Sequence, residues 1–238
     1  MALDPTWRLG FALSYESLNT STGNRAHSDG DRLEGGIVLK NRWGNTTLAA
    51  AAFGGYGWFD TTRAIGLDGI ATAKGEQDIA FGGLHVRLGQ IFSQSGWYLK
   101  PMLDLNVTYV DYGGFRETGA GPANLTVEGD SQWVFSASPA LELGGDYRVE
   151  TTLYRPFVRV GATVFSDTNF ALTSSFLSAP AGVTPFTVHS RFDDVFLDVS
   201  AGLDVIAIDG LTVKVNYDGR FAEHTEIHAG GAKLGMRF

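Results

Sequence analysis

The chain has 238 residues, a net charge of −8 and no cysteine. The negative charge argues against a nucleic acid partner, because binding phosphates requires a basic surface. The lack of cysteine excludes thiolate metal sites, thiol nucleophiles and disulfides, and no apolar run reaches the roughly 18 residues expected of a membrane-spanning helix. The 31 glycines and the aromatic content of 12% are usual in large β-barrels.

Alternation of apolar and polar residues predicts β-strands along the whole chain. In 7–16, every second residue from Trp7 to Tyr15 is apolar, which is the pattern of a half-buried strand. The facing of the third and fourth strands is ambiguous. The predicted strands are 7–16, 31–41, 46–60, 75–92, 97–112, 131–148, 153–166, 192–208, 211–222 and 229–238.

The predicted connections alternate between two classes of length. Short turns are predicted at 41–45, 93–96, 150–152 and 209–210. Long polar loops are predicted at 17–30, 61–74, 113–130 and 167–191, and a shorter one at 223–228. Outer-membrane barrels have short periplasmic turns and long outer loops. This order places both chain ends on the short-turn side.

We therefore predict one domain, an all-β, antiparallel, transmembrane up-and-down β-barrel. Its apolar face would meet lipid and its polar face would enclose a lumen. Charges of opposite sign lie on neighbouring strands, as a lumen requires, although a solvated surface could also carry them. The predicted lumen-lining residues are Lys100, Asp104, Glu142, Arg155, Arg159, Asp198, Asp204, Lys214, Asp218, Arg220, Lys233 and Arg237.

Aromatic residues lie near the ends of the predicted strands. Two belts of such residues would mark the membrane interfaces, where an amphipathic ring bridges lipid and water. The residues concerned are Trp7, Tyr15, Trp43, Trp58, Trp97, Tyr109, Trp133, Tyr147 and Tyr217.

The last strand ends in GGAKLGMRF, with Ala232, Leu234, Met236 and Phe238 at alternate positions. This pattern resembles the C-terminal signal that the barrel assembly machinery of bacterial outer membranes recognises. The physical basis would be β-augmentation, in which a strand pairs with an exposed edge and pockets recognise alternate side chains.

Several stretches in order, covering nearly the whole chain, resemble the autotransporter β-domain. They are GFALSYE with SDGDRLEGGIVLK, AAAAFGGYGWFDTTR, YRPFVRVGATVFSDTNFALTSSF, GVTPFTV with DDVFLDVSAGLDVIAIDG, NYDGRF and the terminal strand. The resemblance implies an even-numbered barrel of about twelve strands, with an N-terminal helical linker in the lumen. The first predicted strand is similar to the third of that family. We therefore expect 1–238 to be an N-terminally shortened barrel domain that lacks the first two strands and the lumen helix.

The resemblance also implies a role in type V secretion. Such a barrel anchors an N-terminal passenger in the bacterial outer membrane and helps to export it to the cell surface. The expected partners are outer-membrane lipid, the barrel assembly machinery and an upstream passenger with its linker. Both chain termini would be periplasmic. No cofactor, metal or catalytic residue is implied, and we expect no enzyme activity.

Three other classes remain open on the sequence alone. A small porin would conduct ions, whereas a plugged translocator would not. A barrel-type surface protease would need Asp and His clustered at the outer rim. A soluble β-sandwich binding module would need no detergent. Solvated loop histidines are favoured over a metal site at His189, His224 and His228, and lumen charge at a strand start is favoured over calcium or acid–base chemistry at Asp193 and Asp194.

Overall fold

The computed structural model describes residues 6–66, 72–206 and 210–236, which form sixteen β-strands and one 3-10 helix, Gly121–Ala123. Within those three ranges, no helix is long and apolar enough to cross a membrane. The strands are β1 (Trp7–Thr22), β2 (Ala26–Trp43), β3 (Thr46–Arg63), β4 (Ala73–Gln90), β5 (Phe92–Gln94), β6 (Trp97–Tyr112), β7 (Phe115–Arg116), β8 (Leu125–Val127), β9 (Asp130–Gly145), β10 (Tyr147–Val149), β11 (Thr152–Phe165), β12 (Asn169–Phe176), β13 (Phe186–Arg191), β14 (Val195–Ile206), β15 (Thr212–Phe221) and β16 (Glu226–Gly235).

The main sheet is an antiparallel meander in the order β1-β2-β3-β4-β6-β9-β11-β14-β15-β16. Each predicted strand corresponds to one strand of this path, so the all-β antiparallel prediction is confirmed. The short strands β5 and β10 pair with β6 and β11. No pairing joins β1 to β16 among the described residues, and the curled sheet is therefore open along that seam.

The prediction of a long loop at 17–30 is wrong. Strands β1 and β2 continue through this segment, with Asn19 opposite Asp29, and Gly23 occupies the tight turn with a φ of 54°. Polar residues on both faces hide the alternation in the sequence. The backbone ladder continues nevertheless, because each amide and carbonyl still finds its partner on the neighbouring strand.

Two other predicted loops, 113–130 and 167–191, contain a second sheet. It has the order β13-β12-β8-β7 and lies at the long-loop end of the main sheet. Aromatic contacts attach it, with ring centroids 6.0 Å apart for Tyr112 and Phe170 and 5.2 Å apart for Phe165 and Phe192. Strands β7 and β8, of two and three residues, are too short to show a period in the sequence. Strands β12 and β13, of eight and six residues, were predicted as part of a loop.

The last strand begins earlier than predicted. Strand β16 starts at Glu226, which places His228 inside a strand rather than in a loop. The alternating Ala232 and Leu234 lie on β16 and Met236 follows its end, while Arg237 and Phe238 lie outside the described residues.

The two faces of the main sheet show an inverted burial pattern. Large apolar side chains are exposed, with Leu13 at 78% and Phe135 at 53%. Charged side chains on the opposite face are buried, with Asp104 and Glu142 both at 8%. A soluble sandwich would bury the apolar face and hydrate the charged one, whereas a membrane barrel does the reverse.

Aromatic rings pair across neighbouring strands near both ends of the apolar face. At the short-turn end, Trp97 contacts Tyr147 with centroids 5.2 Å apart. At the long-loop end, Tyr109 and Trp133 lie 5.0 Å apart. Twelve residues separate Trp97 from Tyr109 on β6, which is about 30 Å of depth at a strand tilt of about 40°. This depth matches the distance between two interfacial belts, and the apolar band lies between them.

Glycine on the polar face makes room for aromatic rings of adjacent strands. A Cβ atom added at Gly144 would lie 2.3 Å from Cζ of Tyr98. The Tyr98 ring is held there by its hydroxyl, which donates to Oε1 of Glu142 at 2.9 Å. The polar interior at the β6–β9 pair is therefore packed to the limit that glycine allows.

Candidate functional site

The polar face of the main sheet carries ion pairs built by the strand register. Arg87 on β4 lies directly opposite Asp104 on β6. Its Nε donates to Oδ1 of Asp104 at 2.6 Å and its Nη2 donates to Oδ2 at 3.1 Å. His85 Nε2 lies 3.2 Å from the same Oδ1 atom. The fork geometry matches the carboxylate and fixes both side chains.

Strand β14 lies three strands beyond β6 in the sheet, and together with β15 it carries a second set of ion pairs. Arg220 Nε donates to Oδ1 of Asp198 at 2.8 Å, and Lys214 pairs with Asp204. Arg159 on β11 reaches across β14 and lies 3.5 Å from Oδ1 of Asp218. The predicted residues of this group therefore occupy one continuous face.

The remaining predicted residues are placed differently. Lys100 Nζ lies 3.8 Å from Oε1 of Glu142. Arg155 is opposite Asp204 in register but pairs with Asp146 at 2.8 Å, because Asp204 is already bound by Lys214. Lys233 on β16 lies opposite Lys214 on β15. Arg237 falls outside the described residues.

One cavity of about 360 Å³ on the polar face is lined by Arg87 with Asp104, Arg220 with Asp198, and Arg159 with Asp218. Lys214 and Asp204 lie outside its lining. Its walls come from β4, β6, β9, β11, β14, β15 and β16, and they carry charges of both signs. Such a surface satisfies its own charges and still leaves hydrogen-bond donors and acceptors facing the cavity. The described residues contain no group of three or more His, Asp or Glu side chains placed to hold a metal ion.

A second cavity, of about 480 Å³, opens at the short-turn end of the polar face. Its charged lining is entirely basic: Arg8, Lys40, Arg42, Arg87 and Lys100. We call this set the basic cluster. The prediction missed Arg8, Lys40 and Arg42, although alternation along 7–16 already placed Arg8 on the polar side.

At the long-loop rim, Asp193 and His224 connect the segments that precede β14 and β16. His224 Nδ1 lies 3.1 Å from Oδ1 of Asp193, and the backbone N–H of His224 donates to Oδ2 at 3.2 Å. The hydrogen bond between the two side chains raises the pKa of His224 and lowers the pKa of Asp193. Neighbouring Asp194 pairs with Arg191 and Thr168. His224 is thus bound to a carboxylate, which sequence spacing could not indicate.

The comparisons with known proteins agree with this architecture. The family model described as the autotransporter beta-domain matches residues 1–218. The chain belongs to the autotransporter β-domain family. The translocator domain of the autotransporter NalP from Neisseria meningitidis superposes with a TM-score of 0.78 and 16% identity, and the match covers 99% of this chain and 76% of that one.

A second solved structure, the β-domain of the Bordetella autotransporter BrkA, has 17% identity and a TM-score of 0.33 over 98% of this chain and 100% of that one. No curated protein matches the sequence. The likeness to NalP shows the fold, and the family match shows that this chain is an autotransporter β-domain. Members of this family are outer-membrane translocator barrels.

Proposed function

We propose that the curled sheet forms the wall of an outer-membrane translocator, with its polar face as the lumen and its apolar face in lipid. The inverted burial carries this proposal: Leu13 and Phe135 are exposed while Asp104 and Glu142 are buried and bonded. Unpaired strand edges cannot remain in lipid, since each unsatisfied backbone group would cost several kcal/mol. In this proposal, further strands close the seam between β1 and β16 in the membrane.

The orientation follows from the two ends of the sheet. The short turns and both ends of the meander share one edge, which we assign to the periplasm because outer-membrane barrels have short periplasmic turns. The second sheet, β13-β12-β8-β7, then lies at the cell surface. An upstream passenger would be exported through the lumen or during assembly of the barrel.

The last strand is the assembly signal in this proposal. Strand β16 is an edge strand whose outer backbone groups are free to pair with a partner, and its alternating Leu234 and Met236 are 73% and 66% exposed. β-Augmentation by the barrel assembly machinery would use both features. Residues 232–238 would then be needed for insertion, in addition to the pairing of 232–235 with β15 in the finished sheet.

The test is export of a reporter passenger fused upstream of the complete β-domain in a Gram-negative host. We expect surface exposure of the reporter, measured by protease shaving of intact cells, together with recovery of the domain in the outer-membrane fraction. Leu234→Asp is expected to abolish both. A domain that stays soluble in buffer without detergent, or a reporter that reaches the surface without membrane insertion, would contradict the proposal.

A further inference from the structure

One anchor of the second sheet, β13-β12-β8-β7, lies on β3 at the long-loop end. Arg63 shares a face of β3 with Ala49, which is opposite the polar-face residue Arg87. The Arg63 guanidinium donates to both carboxylate oxygens of Glu117, at 2.9 and 2.6 Å, and to the carbonyl oxygen of Ala123 at 3.0 Å. Glu117 lies between β7 and β8 and is only 7% exposed. We call the contact between Arg63 and Glu117 the clamp.

The other anchor is a cluster of aromatic rings at β11 and β14, four and five strands beyond β3 in the main sheet. Phe165 shares the polar face of β11 with Arg159. Its ring lies 5.2 Å from that of Phe192, which follows β13, and 5.8 Å from that of Phe196 on β14. Phe192 also stacks on Phe170 of β12 at 5.6 Å. The second sheet is therefore attached to polar-face residues at two well-separated places.

Strands between the two anchors contact the second sheet from the same face. Gly75 shares the polar face of β4 with Arg87, and a Cβ atom added there would lie 2.5 Å from the ring of Phe115 on β7. The side chain of Gln132 on β9 donates through Nε2 to the carbonyl oxygen of Asn169 at 3.2 Å. The contacts thus run from β3 to β14, an arc of about 24 Å at about 4.8 Å per strand. Because the main sheet buries its polar side chains, it curls toward that face, and a layer attached along this arc lies across the mouth of the curl.

The contact between the two sheets is closely packed. Five apolar residues are buried in the part of the chain that the structure describes. Four of them, Ala73, Ala120, Val127 and Phe196, lie in the second sheet, in its β7–β8 connection or beside the two anchors. Ala73 is opposite Arg63 on the neighbouring strand and has no exposed surface. Interiors packed in this way have few voids large enough for water, so the layer shields what lies beneath it.

We propose that the second sheet is a cap that closes the long-loop mouth of the lumen, and that the clamp keeps this cap closed. The proposal rests on the lumen assignment made above and goes beyond it, because a barrel wall alone does not decide whether its mouth is open. With the cap in place, solutes at the cell surface do not reach the polar face. Breaking the clamp frees the β7–β8 end of the cap, while the aromatic anchor still holds the other end.

The experiment measures how fast a reagent reaches the polar face beneath the cap. The chain has no cysteine, so one introduced cysteine is the single site for a sulfonated maleimide. We use the full 238-residue chain in zwitterionic detergent. Ala73→Cys, beneath the cap, should react at least about 100-fold more slowly than Ser190→Cys on the exposed strand β13. Equal rates for the two cysteines would overturn the proposal.

Glu117→Gln removes the negative charge from the clamp. It should speed the reaction of Ala73→Cys about tenfold, the lower end for weakening a hydrogen bond to a charged group, and leave the rate of Ser190→Cys unchanged. Glu76→Gln is the matched control, because Glu76 is an exposed carboxylate on the opposite face of β4, and it should change neither rate. A rate for Ala73→Cys that does not respond to Glu117→Gln would overturn the proposal.

Phe192→Leu tests whether the two anchors hold one layer. Added to Glu117→Gln, it should speed the reaction of Ala73→Cys about a further fivefold, the factor for losing an aromatic pair. Two independent loops would show no such effect, and that result would overturn the cap. On intact cells that carry the complete β-domain, a maleimide too large for porins should label Ser190→Cys always and Ala73→Cys only after Glu117→Gln. Failure to label Ser190→Cys on cells would contradict the proposed orientation in the membrane, whereas the rates in detergent test the cap by themselves.

Discussion

Leu103 lies at the centre of the apolar face and offers the most direct test of which solvent that face meets. It is six residues from both Trp97 and Tyr109, the two belt positions of β6. Six residues span about 20 Å along a strand, or about 15 Å of depth at a tilt of about 40°. That depth is half of a hydrocarbon core about 30 Å thick, so Leu103 lies at the midplane.

Leu103→Arg should therefore cost about 2–4 kcal/mol, the value for a lipid-facing arginine at the midplane of a barrel. Leu99→Arg is the matched control on the same strand and face. It is two residues from Trp97, close to the interface, where the same charge costs about 0–1 kcal/mol. Both leucines are similarly exposed, at 38% and 41%, so depth is the variable that differs.

The assay is equilibrium unfolding in guanidinium chloride with the protein inserted in phospholipid vesicles, followed by tryptophan fluorescence. At a water-exposed surface, both substitutions would stay within about 0.5 kcal/mol of wild type. Equal costs for Leu103→Arg and Leu99→Arg would refute the lipid assignment of this face.

Three further perturbations test the packing, the outer sheet and the rim. Gly144→Val would force the Tyr98 ring from its place and should cost about 1–3 kcal/mol in the same unfolding assay. The buried carboxylate of Glu117 accepts two hydrogen bonds from the Arg63 guanidinium, at 2.9 and 2.6 Å, and one from the backbone N–H of Leu125 at 2.8 Å. Glu117→Gln weakens these bonds and should speed proteolytic cleavage of the second sheet. Asp193→Asn should lower the pKa of His224 toward its ordinary 6.5, as measured by NMR titration in micelles.

The rim contact also has a defined pH window. Because the pKa of His224 is raised in the folded protein, protonation of His224 stabilises the fold fully below its ordinary pKa of 6.5. This stabilisation is lost as the pH rises through the higher pKa of the folded state. Because the pKa of Asp193 is lowered in the folded protein, ionisation of Asp193 stabilises the fold fully above its ordinary pKa of 3.8. This stabilisation is lost as the pH falls through the lower pKa of the folded state. The contact between Asp193 and His224 is therefore strongest between pH 3.8 and pH 6.5.

Each of these predictions has its own control. Gly230→Ala should leave unfolding unchanged, because nothing lies within 4 Å of a Cβ atom at that site. Unchanged proteolysis of Glu117→Gln would show that its bonds do not hold the outer sheet. A His224 pKa that is the same in wild type and Asp193→Asn would exclude the rim contact.

The sequence alone determined the strands of the main sheet. It also determined their two faces, except in the third and fourth predicted strands, where the facing was ambiguous. A strand has a side-chain period of two, so the alternation from Trp7 to Tyr15 reveals both its existence and its apolar side. The same period identified Arg8 as a polar-face residue before any pairing was known. Alternation failed in 17–30, where both faces are polar, and in β7 and β8, which are two and three residues long. Strands β12 and β13 were missed inside the predicted loop 167–191.

Only the tertiary structure decided which charges meet. Partner choice depends on register across strands that are far apart in sequence, and a shift of one residue would exchange the two faces. Thus Asp204 binds Lys214 rather than Arg155, and His224 binds Asp193, 31 residues away. The same register places Arg8 opposite Lys40, and so concentrates unneutralised positive charge at the short-turn end of a chain whose net charge is −8.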